Sequence, residues 1–365
     1  MSIPAGLYVH VPFCAVKCPY CDFYSNPYRR ERAEAYAARV AENIAAYPAE
    51  LSVDTVYFGG GTPSILPPPL LGQMLHAARR RFSLAADTEI TLEVNPLTAT
   101  PAALDAWRGL GVNRLSFGMQ SAVDAELHRL GRRHTAAQGI AAVDRAAAAG
   151  FQNISCDLML GTPGQTGESL AQSLAVYAQL PIAHVSAYLL SIESGTPFDT
   201  EAMRSQVPDG DAAALLYVQM AECLEQHGFR QYEISNFARP GFESRHNLKY
   251  WQCVDYIGIG PAAHSCFNGR RYAVPPDLDG FLQAPRQQEI LTDEEPYTPE
   301  ERVMLGLRLA EGIRQQDFSE SCWAGLLHRA EPLQKAGMLW IEPDRIRLTR
   351  QGFLVSNSVI CSLVE

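Results

Sequence analysis

Apolar and polar positions along the first two thirds of the chain alternate between two periods. Short runs that are apolar at most positions predict strands at 7–13 (LYVHVPF), 55–60 (TVYFGG), 89–94 (EITLEV), 114–119 (RLSFGM), 154–160 (ISCDLML) and 184–190 (HVSAYLL). Helical spacing fills the gaps. Tyr36, Val40, Ile44 and Tyr47 recur on one face of 29–47, and similar patterns cover 70–82, 102–110, 136–149 and 169–179. A repeated strand-then-helix order predicts a parallel sheet with helical crossovers. Six such units fall short of the eight in a closed barrel, so the expected fold class is α/β, a partial, open (β/α)6-type barrel.

The pattern changes after residue 205. The next stretch is loop-rich and aromatic, with one more strand expected at 255–260. Pro299 then opens a helix that carries Glu300 and Glu301 in its first turn. A further helix, a hairpin around LWIEPDRIRLT and a final helix follow, in the order of a winged helix. The expected domains are a barrel over 1–205, an α+β extension over 206–295 that completes the barrel and covers the site, and a winged-helix-like domain over 296–365. Residues 300–365 carry 8 Lys/Arg against 9 Asp/Glu, a balance that suits packing or docking better than phosphate binding.

Polar residues cluster just after the predicted strands, where parallel barrels build their sites. Cys14, Cys18 and Cys21 follow the first, GGGTPS the second, Glu93 and Asn95 close the third, and Gln120 and Ser121 follow the fourth. Asp157 lies in the fifth, and Glu193 follows the sixth. The net charge of -10 argues against a broad nucleic-acid surface. The N-terminus lacks the basic and apolar regions of a secretory signal, and no run reaches the length of a bilayer span. The expected location is therefore the cytoplasm, with peripheral attachment to a membrane left open. In such a reducing compartment the 9 cysteines read as ligands or small buried hydrophobes.

Three of them cluster, in CAVKCPYC, and Phe23 stands where a fourth thiol would continue the series. Structural zinc prefers four protein ligands, commonly as two separated pairs, and there is no second pair here. His10 is a poor fourth ligand because it falls inside a predicted strand. Three thiolates on one loop instead suit a [4Fe–4S] cluster with one iron left for an exchangeable ligand.

The Cys-x3-Cys-x2-Cys spacing resembles that of radical S-adenosylmethionine proteins. Its flanks, YVHVPFC and CPYCDF, resemble the branch containing oxygen-independent coproporphyrinogen III oxidases and heme chaperones. The likeness continues through RLSFGMQS, LGRRH, DLMLGTPGQT, SIESGTPF, YEISNFA and HNLKYW. It implies a radical SAM barrel whose cluster chelates the methionyl group of S-adenosylmethionine and delivers the electron that cleaves it. By the same resemblance Tyr8 lies beside the methionyl group, and Gly60, Gly61 and Thr62 offer amides and a hydroxyl. Glu93 and Asp157 anchor amine or hydroxyl groups of the cofactor, and Gln120 and Arg132 its polar groups or carboxylate.

The oxidases of this branch carry a fourth cysteine and an N-terminal extension. Here Phe23 takes the cysteine's place and the loop starts at residue 14. The resemblance therefore implies a heme carrier that delivers heme to an acceptor, which could be a membrane-bound respiratory protein. Oxidative decarboxylation of porphyrinogen propionates, or methyl transfer, is the enzymatic alternative, and whether the cofactor is still cleaved stays open. His246, in HNLKYW, is the heme-ligand candidate of that group, with Tyr250 and Trp251 able to pack on a porphyrin; a histidine that only ties the extension to the core is an equal reading. Cys253 and His264 stand in second line, and His264, which follows a strand in GPAAHS, is read as facing the cofactor pocket rather than heme.

Overall fold

The computed structural model describes residues 3–49 and 51–364. Six parallel strands run β1 (Ala5–Val11), β2 (Ser52–Gly60), β3 (Ser83–Val94), β4 (Arg114–Gln120), β5 (Asn153–Leu160) and β6 (His184–Leu189), in that spatial order. The crossovers are α1 (Arg30–Ala46), α2 (Pro68–Arg81), α3 (Pro101–Gly109), α4 (Ala136–Ala148) and α5 (Gly167–Gln179). Pro stands at the first turn of α2 and α3, where its missing N–H is no loss. Thr135 and Thr166 close capping boxes on α4 and α5. The α/β expectation holds, with strand ends moved by a few residues; β3 starts earlier than its apolar run because the largely exposed stretch Ser83–Asp87 also pairs with β2, at Ser83 and Leu84.

Both faces of the sheet are covered, but for different purposes. Leu7, Val9 and Val11 of β1 and Leu115, Phe117 and Met119 of β4 are fully buried in the large core under the helices. The alternate positions face inward, and they are polar: Tyr8, Tyr57, Glu93, Arg114, Ser116, Asp157 and Ser186. A closed eight-stranded barrel fills its interior with branched apolar side chains. A polar interior is the mark of a site.

The extension supplies β7 (Arg230–Glu233), β8 (Asn236–Ala238), β9 (Tyr256–Ile259), β10 (His264–Phe267), β11 (Arg270–Ala273) and β12 (Ile290–Asp293). The strand expected at 255–260 is β9, and it pairs parallel to β1. The whole sheet therefore runs β12-β11-β10-β9-β1-β2-β3-β4-β5-β6-β8-β7, with antiparallel pairs at both flanks.

The C-terminal unit has its own core, built on Val303, Leu307, Trp323, Leu326, Ile346 and Leu363. Helix Glu320–Lys335 and the hairpin Leu339–Glu342/Arg345–Leu348 give it the winged-helix order. It is tied to the barrel where the Ala310 amide donates to the Tyr232 carbonyl at 3.0 Å and Ile234 packs on its core. No helix among the described residues is long and apolar enough to cross a membrane.

Candidate functional site

The loop after β1 carries Cys14, Cys18 and Cys21, all half-buried and unpaired by disulfides. Its backbone is clamped to the end of β2. The Gly61 amide donates to the Val11 carbonyl and the Thr62 amide to the Phe13 carbonyl, each at 2.8 Å. A Cβ on Gly61 would stand 2.7 Å from the Phe13 carbonyl oxygen, and one on Gly60, at φ +105°, 2.7 Å from the His10 ring. The glycine run is thus required by the close approach of the cysteine loop. The resemblance gave Gly60, Gly61 and Thr62 amides to the cofactor, but all three are engaged within the chain, that of Gly60 by the Glu93 carboxylate at 3.1 Å. The Thr62 hydroxyl faces the Cys14 sulfur at 3.4 Å.

These residues open onto a cavity of about 440 Å³, lined in addition by Glu93, Gln120, Arg132 and Asp157. Seven of the eight residues expected to hold S-adenosylmethionine meet on its wall; Tyr8 lines an adjoining cavity that shares Gly60 and Glu93 with it. Arg132 donates to the Gly118 carbonyl at 2.5 Å and to the Cys18 sulfur at 3.6 Å. Gln120 is a non-glycine residue at φ +69°, a strained conformation of the kind that collects at functional positions.

Glu93 accepts from the Tyr57 hydroxyl at 2.9 Å, and burial, reinforced by Asp157, pushes its carboxyl up to about 7. Asp157, bonded to Ser116 at 3.3 Å, is pushed up to about 6 by burial against the pull of Ser116 and Arg114. Two carboxyls held close to neutrality are poised to accept a cationic or hydroxyl-bearing ligand.

The site fits the groups the sequence implies on two grounds. Three thiols line one side of the cavity, yet among the described residues no His, Cys, Asp or Glu group converges on a single-ion position, so the donors suit a larger body such as a cluster. On the far wall Arg114 is 1% exposed, and its Nε and Nη1 have no hydrogen-bond partner, which is costly unless a ligand or water completes them. Cys14, Cys18 and Cys21 would hold the cluster, and Glu93, Gln120, Arg132 and Asp157 the S-adenosylmethionine. When bound, the pair would supply one-electron chemistry in this cavity. The chain's own residues orient the ligand, bring the Glu93 and Asp157 carboxyls to the cavity wall, and fix a cation beside Cys18.

Arg114 and Tyr57 were missed in the sequence. Strict alternation in RLSFGMQ, with Arg114, Ser116, Gly118 and Gln120 on one face, was the available signal.

HNLKYW forms a short helix, Arg245–Trp251, and lies elsewhere than expected. It closes the floor of the barrel, at the N-terminal ends of β1 to β3, and from there Asn247 lines the cavity that holds the three thiols. The Glu89 carboxylate accepts the amides of Arg245 and His246 at 3.1 Å each, and Lys249 pairs with Asp54 at 2.7 Å. His246 is 1% exposed; Nδ1 shares a 2.8 Å hydrogen bond with Thr55, and Nε2 one of 2.9 Å with Tyr250. Its ring stacks on Tyr57, centroids 5.1 Å apart. Burial first, then Lys249 and Arg114, pushes it down to about 3, so it is neutral. This is the structural arrangement, with neither nitrogen free to reach iron.

The profile of the Radical SAM superfamily matches residues 8–176, and that of the HemN C-terminal domain matches 295–355. The chain is 34% identical to a protein of Escherichia coli named heme chaperone HemW, over 98% of its own length and 97% of the relative's. Its identity to the Lactococcus lactis heme chaperone HemW is 33%, over 98% of this chain and 96% of that one. A Bos taurus mitochondrial protein, radical S-adenosyl methionine domain-containing protein 1, is 34% identical over 99% of this chain and 87% of its own. Among solved structures, coproporphyrinogen III oxidase (HemN) from Escherichia coli superposes with a TM-score of 0.82 over 99% of this chain and 90% of that one, at 22% identity, which shows the shared fold. With three thiols on the loop after β1, a partial parallel barrel behind them and end-to-end similarity to the HemW proteins, the chain belongs to the HemW family of the radical SAM superfamily.

Proposed function

We propose that the protein is a heme chaperone, which binds heme on a radical SAM scaffold and passes it to an acceptor protein. The single observation that carries this is the contrast in likeness. The chain shares 32–35% identity, nearly end to end, with proteins named heme chaperone HemW, but only 22% with the oxidase whose fold it has. Phe23, 61% exposed where the oxidases have a further thiol, supports the same reading. A membrane-bound respiratory protein is the acceptor we favour, an expectation that rests on the family.

The test is an anaerobic hemin titration of the cluster-reconstituted protein, run beside a coproporphyrinogen decarboxylation assay. Saturable binding near one heme per chain with no carbon dioxide released is the expected result. Decarboxylation in step with 5′-deoxyadenosine formation, without stable heme binding, would replace the carrier by the oxidase.

His246→Ala removes a stacked ring and strands the Thr55 and Tyr250 hydroxyls. It is expected to destabilise the protein by about 2–4 kcal/mol, while the folded fraction keeps its heme. Thermal melts beside the titration check this; lost heme binding at an unchanged melting temperature would return the ligand role to His246.

A further inference from the structure

Beside the cysteine loop lies a second cavity, of about 500 Å³, within the size range of small-molecule sites. Its walls are aromatic, with Tyr8, Phe23, Tyr24, Tyr250 and Tyr256, and His264 lies on its rim. Asp22, Phe23, Gly60 and Glu93 also line the cavity beneath the three thiols, so the two spaces adjoin. Of the residues expected to hold S-adenosylmethionine, Tyr8, Gly60 and Glu93 reach this space, whereas Tyr24, Tyr250, Tyr256 and His264 take no part in that site.

Two histidines border it, and they differ. His10 is 5% exposed, with Nδ1 bonded to the Tyr8 hydroxyl at 3.1 Å and Nε2 to the Tyr24 carbonyl at 3.0 Å, so both nitrogens are taken. His264 is exposed, and its imidazole has no hydrogen bond to any described residue. Its backbone, in contrast, is held firmly. β10 runs antiparallel between β9 and β11, and the Gly258 amide donates to the Ser265 hydroxyl at 2.9 Å. A Cβ on Gly258 would stand 2.1 Å from the His264 carbonyl oxygen, so only glycine lets the strand lie this close. A free imidazole on a fixed backbone, at the rim of an aromatic groove, is a metalloporphyrin site in outline: neutral imidazole ligates heme iron, and aromatic faces pack on the macrocycle.

We propose that this groove is the heme seat and that His264 is the iron ligand. The inference rests on the reading of the protein as a heme carrier, and it replaces His246, sealed in the barrel floor, by a residue that a ligand can reach. Phe23 then forms the apolar lip of the groove, on the boundary with the cluster site.

The experiment is an anaerobic hemin titration of the reconstituted full chain and of His264→Ala, read as the Soret difference spectrum, with circular dichroism and iron content confirming that both are folded and loaded. The variant is expected to bind hemin at least tenfold more weakly with a displaced Soret band, and added imidazole to restore the wild-type spectrum. His264→Met gives a second reading, since a thioether in the same place changes the ligand spectrum even where affinity survives. Wild-type spectra and affinities in both variants overturn the proposal and leave the carrier reading standing. A wild-type protein that binds no hemin overturns both.

Discussion

Cys18→Ser is expected to abolish retention of iron and sulfide while leaving the fold intact. The three thiols are half-buried and belong to none of the hydrophobic cores, so exchanging sulfur for oxygen removes little packing. What it removes is a soft ligand, and an alcohol does not replace a thiolate on iron. With three protein thiols there is no spare sulfur in the loop: Phe23 stands where a fourth would come, and His10 has both nitrogens engaged. Reconstituted variant should therefore show iron near background, no visible charge-transfer absorption, and a melting temperature equivalent to less than about 1 kcal/mol of change. Cys156→Ser is the opposite case. Cys156 is fully buried in the core beside β6, so a hydroxyl there should lower stability and keep the iron. Iron kept at wild-type level by Cys18→Ser would show that the loop does not carry the cluster.

That loop was legible in the sequence because its chemistry is local. Three thiols within eight residues state their purpose at any level of structure, and the β/α alternation fixes which end of the sheet they reach. Strand positions were legible for the same reason, since core-facing apolar residues recur at every second position along them. Arg114 was not read from the sequence because its meaning depends on what surrounds it. A lone Arg at the start of a strand is ordinary; an Arg sealed among Tyr57, Glu93 and Asp157 is not. HNLKYW was misplaced for a related reason. Its helix docks through Glu89 and Asp54, residues far away in the sequence, and no local pattern announces a pairing between position 89 and position 245. His264 illustrates the reverse: the sequence places it just after a strand, but only the register of β10 against β9 and β11 sets it on the groove while leaving its ring free.

Glu93→Gln is expected to remove a pH dependence from stability and from cofactor binding together, with opposite signs. In the ligand-free protein burial raises the Glu93 carboxyl from its ordinary 4.5 to about 7, and that of Asp157 from 3.8 to about 6. Between about pH 4 and 7 the folded chain therefore keeps protons that the unfolded chain has lost. Stability must fall as pH rises through that window and level off above it. Water reaching the carboxyl through the cavity reduces the effect, which for Glu93 amounts to roughly 2 kcal/mol. The groups that set it are the Tyr57 hydroxyl and Gly60 amide, which favour the anion, Asp157, which opposes it, and the Arg114 guanidinium behind them. S-adenosylmethionine carries an amine cation, so its affinity should rise through the same window, as Glu93 ionises. Melting curves of wild type without ligand should thus decline from pH 5 to 7.5 while cofactor affinity climbs. In Glu93→Gln the melting temperature should vary less with pH and the affinity should drop at least tenfold at neutral pH. Unchanged affinity in the variant, beside a flattened stability profile, would leave Glu93 as a buried carboxyl that only tunes the fold and would give the amine to Asp157.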